Sequence, residues 1–598
     1  MIDTSKFCPE YLLSAIPHLF DIAKKAATLD EFRRELSGYV HTMHYEILDD
    51  CDSLSERRII RIRDCARVIN RIFTRQSEEK AKFSVSQAIF DIAHNIVHPD
   101  LSYAFYAEIL YLFLGLQGKG PHARYADSYL EPSRLEGREA AIERSNQLDA
   151  LSVEVSRQTD KYTDGLNEDA VYRRSMRKKH IMKKLGASLE NWHDWRWQFE
   201  HVLRDIQQIE TLITLSQSEA IAIEKVRKNK IPFGITPYYL SLMDDDPDSG
   251  RDRSIRAQVI PPSTYIEQLA TRVNQNKSCF DFMCESDTSP IDLITRRYPG
   301  ICIFKPFNTC PQICVYCQRN WEIEDAMMPG ALASDQKIME AVSWIKAHPA
   351  IHEVLITGGD PLGMTDYDIN RIMALIADIP SVERIRIGTR TLVTAPMRFT
   401  DTLADILAKY RIPGKRQVAV VTHVQHAYEL TPETLKAVEK LKTRGIQVFN
   451  QLVYTFFVSR RFEAAFLRKT LTRCGIEPYY TFNTKGKEET IEYRVPIARL
   501  LQEQKEEARL LPGLARTDEA VYNVPGMGKN YLRAVQHRDL ISILPDGSRL
   551  YEFHPWEKNI TKTLSTYIGQ DVPILDYLNR LEDAGEDPEN YNTIWYYF

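Results

Sequence analysis

The stretch GICIFKPFNTCPQICVYC, residues 300–317, contains four of the ten cysteines in the chain, and three of them follow its apolar first half. The β-branched and aromatic residues of GICIFKPF predict a buried β-strand. Cys310, Cys314 and Cys317 follow this strand with the spacing C-x3-C-x2-C, which places them in one loop. The strand pattern recurs further along the chain, and this recurrence indicates the fold class.

Five more segments of this kind follow, separated by longer amphipathic segments. Strands are predicted at HEVLITG (352–358), ERIRIGT (383–389), RQVAVVTH (416–423), IQVFNQLV (446–453) and IEPYYTF (476–482). The intervening segments repeat apolar residues at helical spacing, and several begin at a Ser or Thr suited to an N-cap. Six alternating units predict an α/β fold, a partial parallel (β/α)6 barrel, with an open sheet as the alternative.

A chain of 598 residues is too long for one ordinary core, so several domains are expected. We predict a mainly α-helical N-terminal extension at 1–184, a helical lead-in at 185–299, the barrel at 300–535 and a C-terminal segment at 536–598. The extension shows no catalytic motif. Its charged end YRRSMRKKHIMKK suggests a solvated helix face or a linker. The aromatic tail YNTIWYYF is a candidate for oligomer contacts.

The charge pattern argues against nucleic acid and membrane partners. The chain has 77 basic and 82 acidic residues, a net charge of -5, spread along its length. We see no secretory signal and no apolar stretch long enough for a membrane span. These features predict a cytoplasmic protein. In a reducing compartment, clustered cysteines are more often metal ligands or redox groups than disulfides.

The unusual polar segments follow the predicted strands. In α/β barrels the loops at the carboxyl ends of the strands meet on one rim, where active sites form. Besides the cysteine loop, the candidates are TGGDPLG, GTRTLV, THVQHAYEL, the pair Asn450 and Gln451, and FNTKGKEE. We therefore expect one site on this rim.

Three thiolates in one loop suit three corners of an iron–sulphur cubane, leaving one iron open to an outside ligand. The alternative is a zinc site or buried thiols. Structural zinc requires a fourth ligand, for which His423 and Cys474 are candidates.

The cysteine spacing with Tyr316, followed by TGGDPL, resembles the radical S-adenosylmethionine (SAM) superfamily. The ordered segments DWRWQ, ITPYYLSLMD, RRYPG, IRIGTRTLVTAPMRFT, THVQHAYELT and PYYTFN resemble the lysine 2,3-aminomutase family, from about Asn191 almost to the end of the chain. The resemblance implies a [4Fe-4S] cluster that binds SAM, and pyridoxal 5'-phosphate (PLP) that carries an amino acid. It implies an isomerase that moves an amino group between C2 and C3.

The resemblance also assigns cofactor residues. Lys529, in VYNVPGMGKNYL, matches the lysine that binds the PLP aldehyde, and Arg297 matches a phosphate-binding arginine. A second family arginine falls on Ile301, and Lys305 is a candidate to compensate. The remaining assignments are SAM contacts: Gly358, Gly359, Asp360, His426 and Gln451. The last two also suit satisfied polar groups at strand ends.

The substrate residues depart from those of the lysine enzymes. Arg319 matches the arginine that pairs with the substrate α-carboxylate. Two aspartates that bind the substrate ammonium in lysine enzymes align with Lys485 and Asn523, and a family tyrosine aligns with Phe482. The pocket charge changes from about minus two to plus one, which favours a carboxylate. This exchange resembles the glutamate 2,3-aminomutases. Alternatively, Lys485 faces solvent or Lys487 is the aligned residue.

Three rival functions stay open at this point: a lysine 2,3-aminomutase, a family enzyme for another amino acid, and a non-catalytic iron–sulphur regulator. The enzyme interpretation implies a small amino acid substrate, an electron donor such as flavodoxin or ferredoxin, and self-association into a homo-oligomer.

Overall fold

A computed structural model describes residues 2–49, 56–121, 135–273, 280–484, 488–554 and 566–598. Its main sheet has nine strands in the order β1 to β9. Their bounds are β1 Ile294–Tyr298, β2 Ile301–Phe307, β3 Glu353–Gly358, β4 Arg384–Gly388, β5 Gln417–Thr422, β6 Gln447–Tyr454, β7 Glu477–Asn483, β8 Glu519–Val524 and β9 Gly528–Tyr531.

The predicted parallel barrel is confirmed and extended. Strands β2 to β8 pair in parallel, and six of them, β2 to β7, are the six predicted strands. The antiparallel strands β1 and β9 flank them. The Lys529 ammonium on β9 lies 4.6 Å from the Tyr298 ring on β1, so the two edges of the sheet approach each other. The sheet therefore forms a nearly closed barrel.

Helices cover the outside of the barrel. Cys302 and Phe304 of β2 are buried in the core, whereas the alternate residues Ile301, Ile303 and Lys305 are half-buried and face the barrel interior. The helices that follow the strands are α17 (Asp335–Lys346), α18 (Asp366–Ala377), α19 (Thr391–Thr394), α20 (Asp401–Lys409), α21 (Pro432–Lys442), α22 (Glu463–Arg473) and α23 (Ile497–Gln502).

The expected N-caps are present on four of these helices. Ser334, Thr365, Thr400 and Thr431 each accept a hydrogen bond from a backbone N–H in the first turn. Helix α22 differs, because it starts after Phe462, which has a φ of 62° and offers no side-chain cap.

The region before the barrel is helical, as predicted. The first nine helices are α1 (Pro9–Ala15), α2 (Pro17–Lys25), α3 (Leu29–Asp49), α4 (Glu56–Ile72), α5 (Arg75–Ala81), α6 (Val85–Ala93), α7 (Tyr103–Leu116), α8 (Gly137–Thr159) and α9 (Glu168–Lys184). The lead-in has α10 (Leu189–His193), α11 (Trp195–Glu200), α12 (Ile206–Glu210), α13 (Gln217–Lys228), α14 (Pro237–Leu240), α15 (Arg253–Arg256) and α16 (Ser263–Val273).

The C-terminal segment forms a second sheet and packs on the N-terminal helices. It contains β10 (Arg538–Ile543), β11 (Arg549–Phe553), β12 (Tyr567–Gln570) and α24 (Ile574–Asp583). Helices α4 and α5 contact β10, and α7 contacts α24 and the tail. We call α1 to α7, β10 to β12, α24 and the tail the frame. One apolar core runs from the frame into the barrel.

The aromatic tail is buried within its own chain. Trp595 stacks on Tyr111 of α7 at 4.7 Å, and the Arg61 guanidinium lies 4.3 Å from the Tyr596 ring. A Cβ at Gly115 would come within 2.6 Å of Tyr596, so a glycine permits this close approach. These contacts bury the tail without a second copy, and the expected oligomer remains a prediction.

The charged run expected to be a solvated face or linker lies on α9, and one side of that helix is buried. Arg177 donates to the Ser241 carbonyl over 3.0 Å, and Arg174 donates to the Gly165 carbonyl. The run thus joins the helical extension to the lead-in. Across the described part of the chain, no helix combines the length and hydropathy needed to cross a membrane.

Candidate active site

The three cysteines lie together in the loop after β2. The Cys317 N–H donates to the Cys314 carbonyl over 3.2 Å. Burial raises the pKa of Cys310 well above its usual range, and Asp360 and the other two cysteines raise it further. Buried thiols of this kind become thiolates when a metal centre binds them. The loop is therefore suited to a metal centre.

The sulphur spacing bears on the zinc alternative. A tetrahedral zinc holds its sulphur ligands about 3.8 Å apart, since each Zn–S bond is about 2.3 Å. Within the described ranges, the three sulphurs do not all lie within 4.8 Å of one another. Cys474 follows α22 at the opposite end of the barrel. Burial, with a contribution from Arg390, lowers the pKa of His423 to about 4. Neither His423 nor Cys474 forms a compact ligand group with the three cysteines among the described residues.

The two glycines of TGGDPL pack against the start of the cysteine loop. The Gly359 N–H donates to the Phe307 carbonyl over 2.8 Å. A Cβ at Gly359 would lie 2.2 Å from the Thr309 carbonyl oxygen, which only glycine avoids. Gly358 has a φ of 115°, in the left-handed region. The segment thus lies directly beside Cys310.

The Asp360 carboxylate is hydrogen-bonded within the protein. It accepts from the Thr389 hydroxyl at 2.7 Å, the Thr391 hydroxyl at 2.8 Å and the Arg390 N–H at 2.9 Å. These bonds join the loop after β3 to the loop after β4. Asp360 therefore has a structural role in holding the two loops together. Its assignment to the methionyl amino group of SAM stays a prediction.

Arg390 connects the cysteine loop to three other segments. Its Nη1 donates to the Cys314 sulphur over 2.8 Å, and its Nη2 donates to Glu429 over 2.8 Å and Tyr239 over 3.1 Å. Nη2 also donates to Gln258. The cation lies against the sulphur of one of the three loop cysteines, where it would stabilise negative charge on a thiolate.

His426 and Gln451 differ in what surrounds them. The His426 Nδ1 accepts from the Tyr428 N–H over 3.1 Å, and Nε2 lies 3.3 Å from the Glu463 carboxylate. Nδ1 is therefore satisfied by the protein, whereas Nε2 is buried and makes no hydrogen bond among the described residues, so the assignment of His426 to SAM stays a prediction. Gln451 is half-buried at a register irregularity of β6, opposite Tyr480, and faces the barrel interior.

Lys529 lies on a β-hairpin. The segment VYNVPGMGKNYL forms most of β8 and all of β9, with Asn523 directly opposite Lys529. The Lys529 ammonium also lies 5.1 Å from the Tyr480 ring. Residues opposite each other in an antiparallel pair have Cβ atoms about 5 Å apart. The hairpin therefore brings two of the expected site residues together.

The other predicted substrate residues have mixed outcomes. Lys485 and its alternative Lys487 lie outside the described residues. Phe482 is half-buried on β7 and pairs with Val521 of β8.

The segment 281–289 contacts both edges of the main sheet, at β1 and at the turn between β8 and β9. Arg297 on β1 donates to the Met283 carbonyl over 2.7 Å and to the Thr288 hydroxyl over 3.4 Å. The Cys284 sulphur lies 3.3 Å from a Cβ built at Gly526, in the turn before Lys529. Part of the Arg297 guanidinium is thus used to fix this segment.

Arg319 pairs with Glu285 of the same segment. Its Nε donates to Glu285 Oε1 over 2.9 Å and its Nη2 to the same oxygen over 2.5 Å. Although burial opposes it, Arg319, with help from Lys305, holds the pKa of Glu285 at about 2. The Lys305 ammonium lies 3.5 Å from Glu285 and 3.7 Å from Glu322. Lys305, the candidate substitute for the arginine missing at Ile301, therefore lies among carboxylates.

Sequence reasoning assigned no role to Glu285, Arg390 or Glu429. The last two occur in GTRTLV and THVQHAYEL, directly after predicted strands, so their position was an available signal. Glu285 lies in an irregular segment before the barrel and gives no periodic signal.

Comparisons with known proteins agree with this architecture. Residues 304–459 match the family model of the radical SAM superfamily. An uncharacterized KamA family protein of Methanocaldococcus jannaschii is 40% identical over 608 residues, covering 98% of this chain and 97% of the relative. The similarity therefore includes the N-terminal extension.

Two named enzymes are similar over shorter regions. A glutamate 2,3-aminomutase of Clostridioides difficile is 30% identical over 414 residues, 69% of this chain and 90% of the enzyme. An L-lysine 2,3-aminomutase of Bacillus subtilis is 32% identical over 316 residues, 52% of this chain and 63% of the enzyme.

Radical SAM proteins use a [4Fe-4S] cluster and SAM, and the 2,3-aminomutases also use PLP. The residues of this chain fit these groups. The Gln312 amide in the cysteine loop is buried with no partner for its oxygen or nitrogen among the described residues, and Lys529 lies at the barrel seam. The chain belongs to the KamA family of radical SAM enzymes and is an isomerase of the aminomutase type.

Proposed function

We propose that the enzyme moves the amino group of an acidic amino acid from C2 to C3, converting L-glutamate to β-glutamate. The pairing of Asn523 with Lys529 across β8 and β9 is the observation that supports this choice. Asn523 is neutral where the lysine enzymes carry an aspartate. A substrate ammonium beside it would lack a counter-ion, whereas a carboxylate can accept from its amide.

The similarity to glutamate 2,3-aminomutase points the same way, since it covers more of both chains than the similarity to the lysine enzyme. The second proposed contact is Lys485, whose cation would pair with the side-chain carboxylate. Lys485 and Asn523 each stand where the lysine enzymes have an aspartate, so both differences make the pocket less negative. Two differences in the same direction support a change of substrate class.

The proposed roles of the other residues follow from their positions. Cys310, Cys314 and Cys317 would ligate the cluster. The glycine pair at 358 and 359, Asp360, His426 and Gln451 would surround SAM, and Lys529 with Arg297 would hold PLP. When bound, the cluster and SAM would supply the radical that removes a hydrogen from C3, and PLP would carry the amino nitrogen. The protein orients the substrate, and Arg319 offers Nη1 to its α-carboxylate.

Two further parts of the proposal concern the surroundings of the enzyme. We infer that it works in the cytoplasm and receives single electrons from a flavodoxin- or ferredoxin-type donor. We also infer a homo-oligomer, which sedimentation analysis of the reconstituted enzyme would test.

The decisive experiment is an anaerobic assay of reconstituted enzyme with SAM, dithionite and a panel of amino acids including glutamate, lysine, aspartate and arginine. We expect β-glutamate, identified by mass spectrometry and NMR. β-Lysine as the main product would favour the lysine enzyme instead. Absence of any β-amino acid, with full cluster and PLP loading, would favour a regulator.

A double variant tests the substrate pocket. We expect Lys485→Asp combined with Asn523→Asp to lower glutamate turnover strongly and to leave PLP loading intact. Lys487→Asp is the matched control, because it changes the neighbouring charge without changing the proposed contact. Unchanged glutamate turnover in the double variant contradicts the pocket assignment, and a loss confined to Lys487→Asp transfers the assignment to Lys487.

A further inference from the structure

The guanidinium group of Arg319 has one edge in use and one edge open. Glu285 accepts from Nε and Nη2, which form one planar edge of the group. Among the described residues, Nη1 has no hydrogen-bond partner, although the side chain is about nine-tenths buried. Arginine binds carboxylates through two such edges. A second carboxylate can therefore bind at Nη1 and Nη2 while Glu285 stays in place.

The neighbours of Glu285 fix its orientation. The Glu285 and Ser286 N–H groups donate to the Asp281 carboxylate over 2.8 and 3.1 Å. Cys284 has a φ of 50°, in the left-handed region, and precedes the turn that directs Glu285 to Arg319. Lys305, on β2, lies near the Glu285 Oε2 atom at 3.5 Å. The carboxylate is thus restrained by its own segment and by the barrel wall.

We propose that Glu285 is a positioning residue: it fixes the plane of the Arg319 guanidinium so that the Nη1 and Nη2 edge faces the α-carboxylate of the substrate. This inference rests on the proposed function, because it takes Arg319 as the α-carboxylate ligand. The ligand class is an amino acid with a free α-carboxylate. A carboxylate offers two acceptor oxygens and a negative charge to this edge, whereas an α-amide offers one neutral acceptor oxygen.

Such an arrangement affects binding more than cofactor loading. An arginine free to rotate would lose entropy each time it bound substrate, whereas a fixed one would not. The alternative role is structural, in which Glu285 only neutralises a buried arginine. The two roles differ in one measurable property, the preference for an α-carboxylate over an α-amide.

The test uses the full chain with cluster and PLP loaded, anaerobically and without SAM. The amino acid that the wild type isomerises is titrated against its α-amide, and the shift of the PLP absorbance band reports binding. We expect the wild type to prefer the α-carboxylate by on the order of 10- to 100-fold, and Glu285→Gln to lose most of this preference. Iron content and the initial PLP band should equal those of the wild type.

Glu322→Gln is the matched control, because it removes a nearby carboxylate that lies beside Lys305 and accepts no hydrogen bond from the Arg319 guanidinium among the described residues. It should keep the wild-type preference. A Glu285→Gln variant with the full preference overturns the inference. If that variant fails to load cofactors, Glu285→Asp, which keeps the charge but is one methylene shorter, is judged by the same criterion. A wild type that binds no α-amino acid refutes the proposed function itself, and with it this inference.

Discussion

The barrel rim and the frame both bury charged side chains, but they use them differently. On the rim, Arg319 keeps Nη1 open and the Gln312 amide has no partner among the described residues. In the frame, Arg549 donates to Glu108 through Nε and Nη2 and to the Tyr597 carbonyl through Nη1. The charges of Arg549 and Glu108 are thus satisfied within the protein. We expect rim changes to alter ligands and chemistry, and frame changes to alter stability.

The largest effect is expected at the cysteine loop. Cys317→Ser should abolish cluster loading and aminomutase activity, because a hydroxyl is a poor ligand for iron–sulphur clusters. Iron and sulphide content and the EPR spectrum of the reduced protein measure the loss. Cys8→Ser in the frame is the control, and it should retain both. Normal iron content in Cys317→Ser would remove this loop from the cluster assignment.

Lys529→Ala should come next. Without this amine we expect the protein to lose the absorbance band of bound PLP and its activity, while the iron content stays normal. The matched control is Lys505→Ala, a lysine in the helical segment after α23. A PLP band that persists in Lys529→Ala would place the PLP lysine elsewhere.

The sequence predicted the long central strands of the barrel but not its short edge strands. Strands β2 to β7 were predictable because long apolar segments with helical spacers repeat. Strands β1 and β9 have only five and four residues, ITRRY and GKNY, and lie at the antiparallel edges, where polar residues are common. The hairpin of Lys529 therefore gave no strand signal in the sequence.

Long-range pairs were beyond sequence reasoning. Glu285 and Arg319 are 34 residues apart, and Glu108 and Arg549 are 441 apart. Neither pair has a local pattern, because tertiary folding alone brings them together. The tail YNTIWYYF was recognised as aromatic, but its composition did not indicate that it packs on α7.

In the frame, Glu108→Ala should lower the free energy of unfolding by about 3–5 kcal/mol, because it leaves the buried Arg549 cation unpaired. Denaturant unfolding measures this. The double variant Glu108→Ala with Arg549→Met removes the unpaired charge and should lose less than the sum of the two single variants. Cluster loading at low temperature should be unaffected. Additive losses would mean that the pair does not couple the helices to the second sheet.

Arg390→Met should act on the chemistry of the site, and it should also lower stability because it leaves the buried Glu429 carboxylate without its cation. It removes the cationic donor to Cys314, and changes of this kind typically cost roughly 10- to 100-fold in activity. We expect a lower reduction potential of the cluster, since a cation near a ligand sulphur favours the reduced state. An EPR-monitored redox titration measures the shift. An unchanged reduction potential would show that Arg390 does not influence the cluster and that its role is to hold the loops together.

The smallest effect is expected where the N-terminal extension meets the C-terminal segment at an exposed ion pair. The Lys161 ammonium lies 3.0 Å from the Glu586 carboxylate, and the lysine side chain is 39% exposed whereas the glutamate side chain is 10% exposed. Glu586 also accepts from the Tyr591 hydroxyl over 2.8 Å, so the carboxylate keeps a partner when the lysine is removed. Lys161→Ala should therefore lower the free energy of unfolding by less than about 1 kcal/mol. If urea denaturation shows a loss as large as that of Glu108→Ala, burial does not set the strength of these two ion pairs. The distinction between satisfied buried pairs and exposed ones would then have to be abandoned.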